Sequence, residues 1–188
     1  MSEGLPKTLI EELFENGTMV MGPSRHDPSE TVGTFPSDLL PKLHAERLRE
    51  MERLRFMDGD WLTENGVPAT RRNPAYIEHG TGSMRIGSGG TWLCRVRNGV
   101  EIPHITYDPF SRQWMYVLAE AAYGILRSKG WEGDRISFTG LMTMLGVERE
   151  LRNTITRVSD DEYHALNEER HGDDWIYVDQ WRFRRATA

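Results

Sequence analysis

From Trp61 to the run Trp181-Arg182-Phe183-Arg184 the chain is built of short segments rich in Val, Ile, Thr and aromatic residues, punctuated by turn signals at roughly ten-residue intervals. That rhythm is too short for packed helices and suits an all-β sandwich or barrel. The turns can be named. Arg97-Asn98-Gly99 carries the Asn-Gly pair of a two-residue hairpin, Asp108-Pro109-Phe110-Ser111 is Pro-led, and Glu132-Gly133-Asp134 offers a Gly for positive φ. Ser159-Asp160-Asp161 and His171-Gly172-Asp173-Asp174 bound the last strands. There is no internal repeat and no low-complexity tract.

Upstream the pattern differs. Leu9, Ile10, Leu13 and Phe14 recur at helical spacing in Pro6 to Phe14, with Asn16-Gly17 as a stop. Residues 18 to 35 are rich in Gly, Pro, Ser and Thr and read as an extended connector crossing a surface. Ser37 and Asp38 are good caps, Pro41 suits a first turn, and Leu40, Leu43, Leu48, Met51 and Leu54 lead helically up to Gly59. The expected division is therefore residues 1–36, an N-terminal helix and connector, and residues 37–188, a β-domain with a leading helix. The extension either packs on the outside of that domain or is exchanged in a homodimer.

A length of 188 residues suits one core plus an extension. The formal net charge of -6 argues against a nucleic-acid partner, since phosphate binding needs a concentrated basic surface, and the cluster Arg182, Arg184, Arg185 is short and balanced by nearby acids. The start Met1-Ser2-Glu3-Gly4 lacks the features of a signal peptide, and no apolar run spans a bilayer, so the expected location is cytoplasmic, with no membrane partner. Cys94, the one cysteine, cannot form an internal disulfide and reads as a small buried hydrophobe among Thr91-Trp92-Leu93.

The helix running into Phe56-Met57-Asp58-Gly59-Asp60-Trp61 contains a G-x-W triplet at the entrance to the strands. It is followed by Gly87-Ser88-Gly89-Gly90 before a strand, Tyr107-Asp108 at a strand end, Trp114-Met115-Tyr116-Val117, the turn Gly130-Trp131-Glu132-Gly133, and a final aromatic-Arg strand. From about Leu54 to Arg184 the chain resembles the lipocalin-like, or calycin, β-barrel proteins, most closely an uncharacterised bacterial branch of them. The resemblance implies an antiparallel barrel of eight to ten strands. It also implies that Trp61 closes one barrel end with an Arg of the last strand, Arg182 or Arg184, stacked across it. The extension before Ser37 departs from that pattern.

In a closed barrel alternate residues face inward. Trp175, Tyr177, Asp179, Trp181 and Phe183 share one face of the last strand and are assigned to the interior. Trp114, Tyr116 and Leu118 follow by the same criterion, as do Ile136 and Phe138, Leu151, Asn153 and Ile155, and Tyr163, Ala165 and Asn167. For the strand through Ile102, His104 and Thr106 the faces are nearly matched, and the His104 face is taken as inward. This gives an aromatic chamber carrying a few polar groups, the usual make-up of a small-molecule site. The candidate catalytic residues are His104, Asp179, Tyr177 and Tyr116. The candidate ligand-binding residues are Asn153, Asn167, Trp114, Phe138 and Trp181. A buried Asp179 would need a partner such as His104 or Arg152, or a proton.

His79-Gly80-Thr81-Gly82-Ser83-Met84-Arg85 lacks phosphate-loop spacing and reads as a bend at the barrel rim. No G-x-S-x-G occurs, and the histidines and lone Cys form no metal-binding pattern, so no metal is assigned. These residues lead to two functional expectations. One is a cofactor-independent acid/base enzyme, a lyase, isomerase or cyclase acting on a small aromatic or hydrophobic molecule, with His104 or Asp179 as base and Tyr116 or Tyr177 as acid. The other is an intracellular, non-catalytic binding protein for a hydrophobic ligand. Some lipocalin-like barrels hold haem through one axial His, and here His104 or His164 would serve.

Overall fold

A computed structural model of the chain describes residues 20–23, 31–34, 39–120 and 122–186. The helix expected from Pro6 to Phe14, the caps Ser37 and Asp38, and most of the connector lie outside these residues. Within the connector two short strands, β1 (Val20–Pro23) and β2 (Thr31–Thr34), pair antiparallel, so the segment is not wholly an extended crossing. Helix α1 (Leu39–Met51) continues into a 3-10 helix, Glu52–Met57. The leading helix thus reaches the expected end but tightens in its last turns.

The remaining strands are β3 (Gly59–Val67), β4 (Tyr76–Gly87), β5 (Trp92–Arg97), β6 (Val100–Asp108), β7 (Gln113–Ala119), β8 (Ala122–Ser128), the two-residue β9 (Trp131–Glu132), β10 (Arg135–Met144), β11 (Val147–Arg157), β12 (Glu162–His171) and β13 (Asp174–Arg185). Each pairs antiparallel with its neighbour. β13 pairs with β3, and β10 pairs with both β8 and β11, leaving β9 as a short appendage of β10. The result is a closed ten-stranded antiparallel barrel. Among the described residues no helix is long and apolar enough to cross a membrane.

Hairpin chemistry matches the sequence where it is strongest. Asn98 and Gly99, with φ of 52° and 76°, make the two left-handed residues of a tight turn between β5 and β6. Between the turns, one face of each strand is apolar over the half of the barrel nearest α1. There Trp61, Tyr163, Phe56, Phe183, Trp114 and Trp131 interlock. Tyr163 stacks on Phe183 at 4.3 Å and meets Trp61 edge-on at 4.8 Å, while Trp114 meets Trp131 edge-on at 6.4 Å. Rings of this size bury roughly 150–250 Å² each and dominate a core of these dimensions. Cys94 is buried, and burial pushes its thiol up.

The Trp61 plug forms with a different arginine from those expected. Trp61 is paired with Arg185, whose guanidinium lies 4.6 Å from the indole centroid. It donates to the carbonyls of Phe56, Asp58 and Asp160 at 2.9–3.0 Å and to Asp161 Oδ1 at 2.9 Å. Trp61 Nε1 in turn donates to Met57 O at 2.9 Å. Gly59 has a φ of 151°, and a Cβ on it would overlap the Arg185 guanidinium. The triplet's Gly is therefore the seat of the arginine, and its Trp is the surface beneath. Arg182 and Arg184 fall on the opposite parity and point outward, where both approach Glu64 and Glu162.

Candidate functional site

The half of the barrel away from α1 is hollow. A cavity of about 440 Å³ has Trp61 and Phe183 at its floor and Tyr116, Trp181, His104 and Asn153 in its walls, and reaches Glu78, His79 and Arg97 at the far end of the strands. Two features of the sequence create this space. The inner-face positions of β4 opposite Thr63 and Trp61 are Gly80 and Gly82, so that stretch of the wall carries no side chain. A Cβ on Gly82 would meet only ordinary contact with Thr63. The stretch expected to bend at the rim is thus the middle of a twelve-residue strand; the bend falls later, at Ser88–Gly90.

The second feature is a bulge in β6. Leu93 pairs with Ile105, but Cys94 pairs with Pro103, so His104 is the extra residue. It joins Ile105 on the inner face, while Thr106 turns outward to donate to Thr91 O at 2.6 Å. The face read for His104 holds; Thr106 does not share it. The imidazole packs 4.3 Å from the Tyr116 ring. Burial pushes its pKa down to about 3, the Arg95 cation adding to the effect. Burial likewise pushes the Tyr116 hydroxyl up to about 12, against the pull of Arg95 and with a contribution from Asp179. Both groups are therefore neutral near pH 7.

Asn153, Asn167 and Asp179 stand side by side across β11, β12 and β13. Asn153 Nδ2 donates to Asn167 Oδ1 at 2.7 Å, and Asn167 Nδ2 donates to Asp179 Oδ1 at 2.7 Å. Asp179 has found its partner in an amide, not in His104 or Arg152. Arg152 lies on the outer face and donates to Glu168 at 2.6 Å.

A second bulge overturns another assignment. Asn167 pairs with Asp179 but Glu168 pairs with Tyr177, leaving Val178 as the extra residue of β13. Beyond it the parity reverses. Asp179, Trp181 and Phe183 remain inward, whereas Trp175 and Tyr177 turn outward. Trp175 is covered by Arg152 at 4.5 Å and Arg170 at 5.8 Å, and Tyr177, 43% exposed, donates to Gly66 O at 2.9 Å. Tyr177 accordingly stands outside the cavity.

Trp114 and Phe138 are inward but fully buried in the packed core, Trp114 between Tyr107 and Trp131 and Phe138 behind Tyr116, and neither reaches the cavity surface. His164 lies on the outer face and bonds Glu162 at 2.8 Å, which leaves His104 as the histidine buried in the cavity wall. Among the described residues no three His, Cys, Asp or Glu side chains gather as a metal site. The structure thus brings His104, Tyr116, Asn153, Asn167 and Trp181 to one chamber, with Asp179 behind them. Sequence reading missed Thr63, the two glycines and Arg95. Gly80 and Gly82 at period two within a strand were the available signal. Arg95 enters the lining opposite Met84 and bonds Glu120 at 2.9 Å together with Arg97 at 2.8 Å.

No family model matches the chain, and no curated protein matches it. Among solved structures it is similar to the crystal structure of Rv2717c from M. tuberculosis, with 12% identity over 73% of this chain and 98% of that one and a TM-score of 0.48.

Proposed function

We propose that the barrel is a binding chamber for a small, flat, aromatic molecule of one or two rings. The observation that carries this is the 440 Å³ cavity itself, walled by Trp61, Tyr116, Trp181 and Phe183 and kept open by Gly80 and Gly82. A barrel of this size could fill its axis with aliphatic side chains, as the other half is filled with rings. Glycine on the inner face of a strand contributes nothing to packing or to β-propensity, and its use here suits a guest. We also read the chain as one of the lipocalin-like group, whose barrels are containers.

The test is titration of the protein with one- and two-ring aromatics, followed by tryptophan emission, in the wild type and in Gly82→Leu. Saturable quenching that disappears in a variant with an unchanged far-UV spectrum supports the chamber. Silence across the panel, or equal binding by the variant, sinks it. An absorption spectrum and native mass of protein purified without denaturation test for a resident guest, haem included, whose iron would have to be held by His104.

A second reading, acid/base chemistry on the same guest by a lyase, isomerase or cyclase, is favoured by the contact of His104 with Tyr116. The tyrosine, protonated at pH 7, is suited to donate to a carbonyl or developing oxyanion. The imidazole, with so weak a conjugate acid, is suited to accept a hydrogen bond more than to carry away a proton. His104→Ala with turnover of a converted guest intact would remove the base role.

A further inference from the structure

The hydrogen bonds across β11, β12 and β13 run in one direction. Asp179, as a carboxylate, can only accept. It therefore turns the Asn167 amide so that Nδ2 faces Asp179 Oδ1, which leaves Asn167 Oδ1 to face Asn153 and take its Nδ2. What remains at the end of the relay is an acceptor, Asn153 Oδ1. It belongs to a cavity-wall residue that is 2% exposed, and it has no hydrogen-bond partner. An amide can be flipped to offer either end; here one carboxylate two strands away removes the choice. A second unpartnered buried amide atom is also an oxygen, Asn65 Oδ1, on β3 opposite Trp181. Buried acceptors without donors are costly, and a guest in the cavity that brings a donor relieves the one on the wall residue Asn153.

We propose that Asp179 is a positioning residue that makes the chamber select aromatic molecules carrying a ring N–H or O–H, the indole and phenol class, over isosteres that can only accept. This rests on the binding-chamber reading and adds the hydrogen-bonding sense of the guest. Asp179 acts through Asn167 and Asn153.

Indole and benzofuran differ essentially in N–H against O, so the ratio of their affinities reads the polarity of the wall. By calorimetric titration the wild type is expected to bind indole about ten-fold or more tightly than benzofuran. In Asp179→Asn the new amide can donate to Asn167, the relay can run backwards, and the ratio should fall toward one. Loss of packing alone would weaken both probes together and leave the ratio. Asn167→Ala interrupts the relay at its middle and should do the same, so the prediction stands on two variants. Equal affinities in the wild type, or a ratio preserved in both variants, overturn the relay while leaving the chamber. If neither probe binds the wild type, the chamber reading falls and the relay falls with it.

Discussion

The two halves of this barrel use the same strands and the same inward alternation to opposite ends. Near α1 the inner positions hold Trp61, Tyr163, Trp114, Phe138 and the clamped Arg185, and the space is full. Toward the other rim the same strands present Thr63, Gly80, Gly82, Asn153 and Asn167, and the space is open. On β3 and β13 the change occurs within two or three inner positions of the plug. One half of the barrel maintains its shape, leaving the other free to hold groups that do nothing for stability, including an amide oxygen that ends without a partner. Substitutions should therefore divide into those that unfold the protein and those that only close or reprogram the chamber.

The sharpest break in that division is Arg185→Ala. It removes a cation from the Trp61 face and leaves the carbonyls of Phe56 and Asp58 without their donor, and it should lower unfolding free energy in urea by about 3 kcal/mol or more. A smaller loss would mean that the filled half does not depend on its plug.

Next in size is a pH effect from the hollow half. His104 has a folded pKa of about 3 against an ordinary 6.5, so below pH 6.5 the unfolded chain takes up a proton that the folded one refuses. Its contribution to stability is complete above 6.5 and is lost at about 1.4 kcal/mol per pH unit as the pH falls toward 3. Urea titrations of wild type and His104→Phe at several pH values between 6.5 and 4 should show the two diverging with that slope. Parallel curves would show that the imidazole is not held neutral.

Gly82→Leu should reverse the pattern, costing at least ten-fold in affinity for aromatic guests while changing stability by less than about 0.5 kcal/mol, because its first added atom meets only Thr63 at ordinary contact. Tyr177→Phe should do least. It removes an exposed outer-face hydrogen bond to Gly66 O, so stability should move by about 0.5 kcal/mol at most and guest binding not at all. A loss of binding on this change would return Tyr177 to the chamber.

The contrast also decides what was legible in the sequence. Strand rhythm, the Asn98-Gly99 turn and inner faces such as Leu151, Asn153, Ile155 and Tyr163, Ala165, Asn167 follow from period-two alternation, and the structure keeps them. The errors sit where one residue breaks the count. Val178 flips Trp175 and Tyr177 outward, and His104 and Ile105 share a face that strict alternation would divide. Pro103, which cannot donate to the ladder, is a local mark of the bulge at His104, whereas nothing in the composition around Val178 marks the other, which is set by the register of the neighbouring strand. The resemblance points to Arg182 or Arg184 for the plug, yet the inward parity of Trp181 and Phe183, carried two residues further, already falls on Arg185. Trp114 and Phe138 were rightly read as inward, but alternation says nothing of depth along the axis, and depth decides whether an inward ring packs the core or lines the chamber.

The clamp on Arg185 has a consequence for how the chain reaches this state. Its guanidinium binds carbonyls 127 and 129 positions earlier, and β13 forms its pairs with β3 across a similar distance. During synthesis the strands from β3 to β12 can pair with their neighbours in turn, yet the sheet keeps two unzipped edges until residue 185 has emerged. Until then the aromatic lining faces water from an open ribbon. The barrel is most exposed to sticky encounters just before β13 closes it, and Arg185 ends that exposure by sealing the seam.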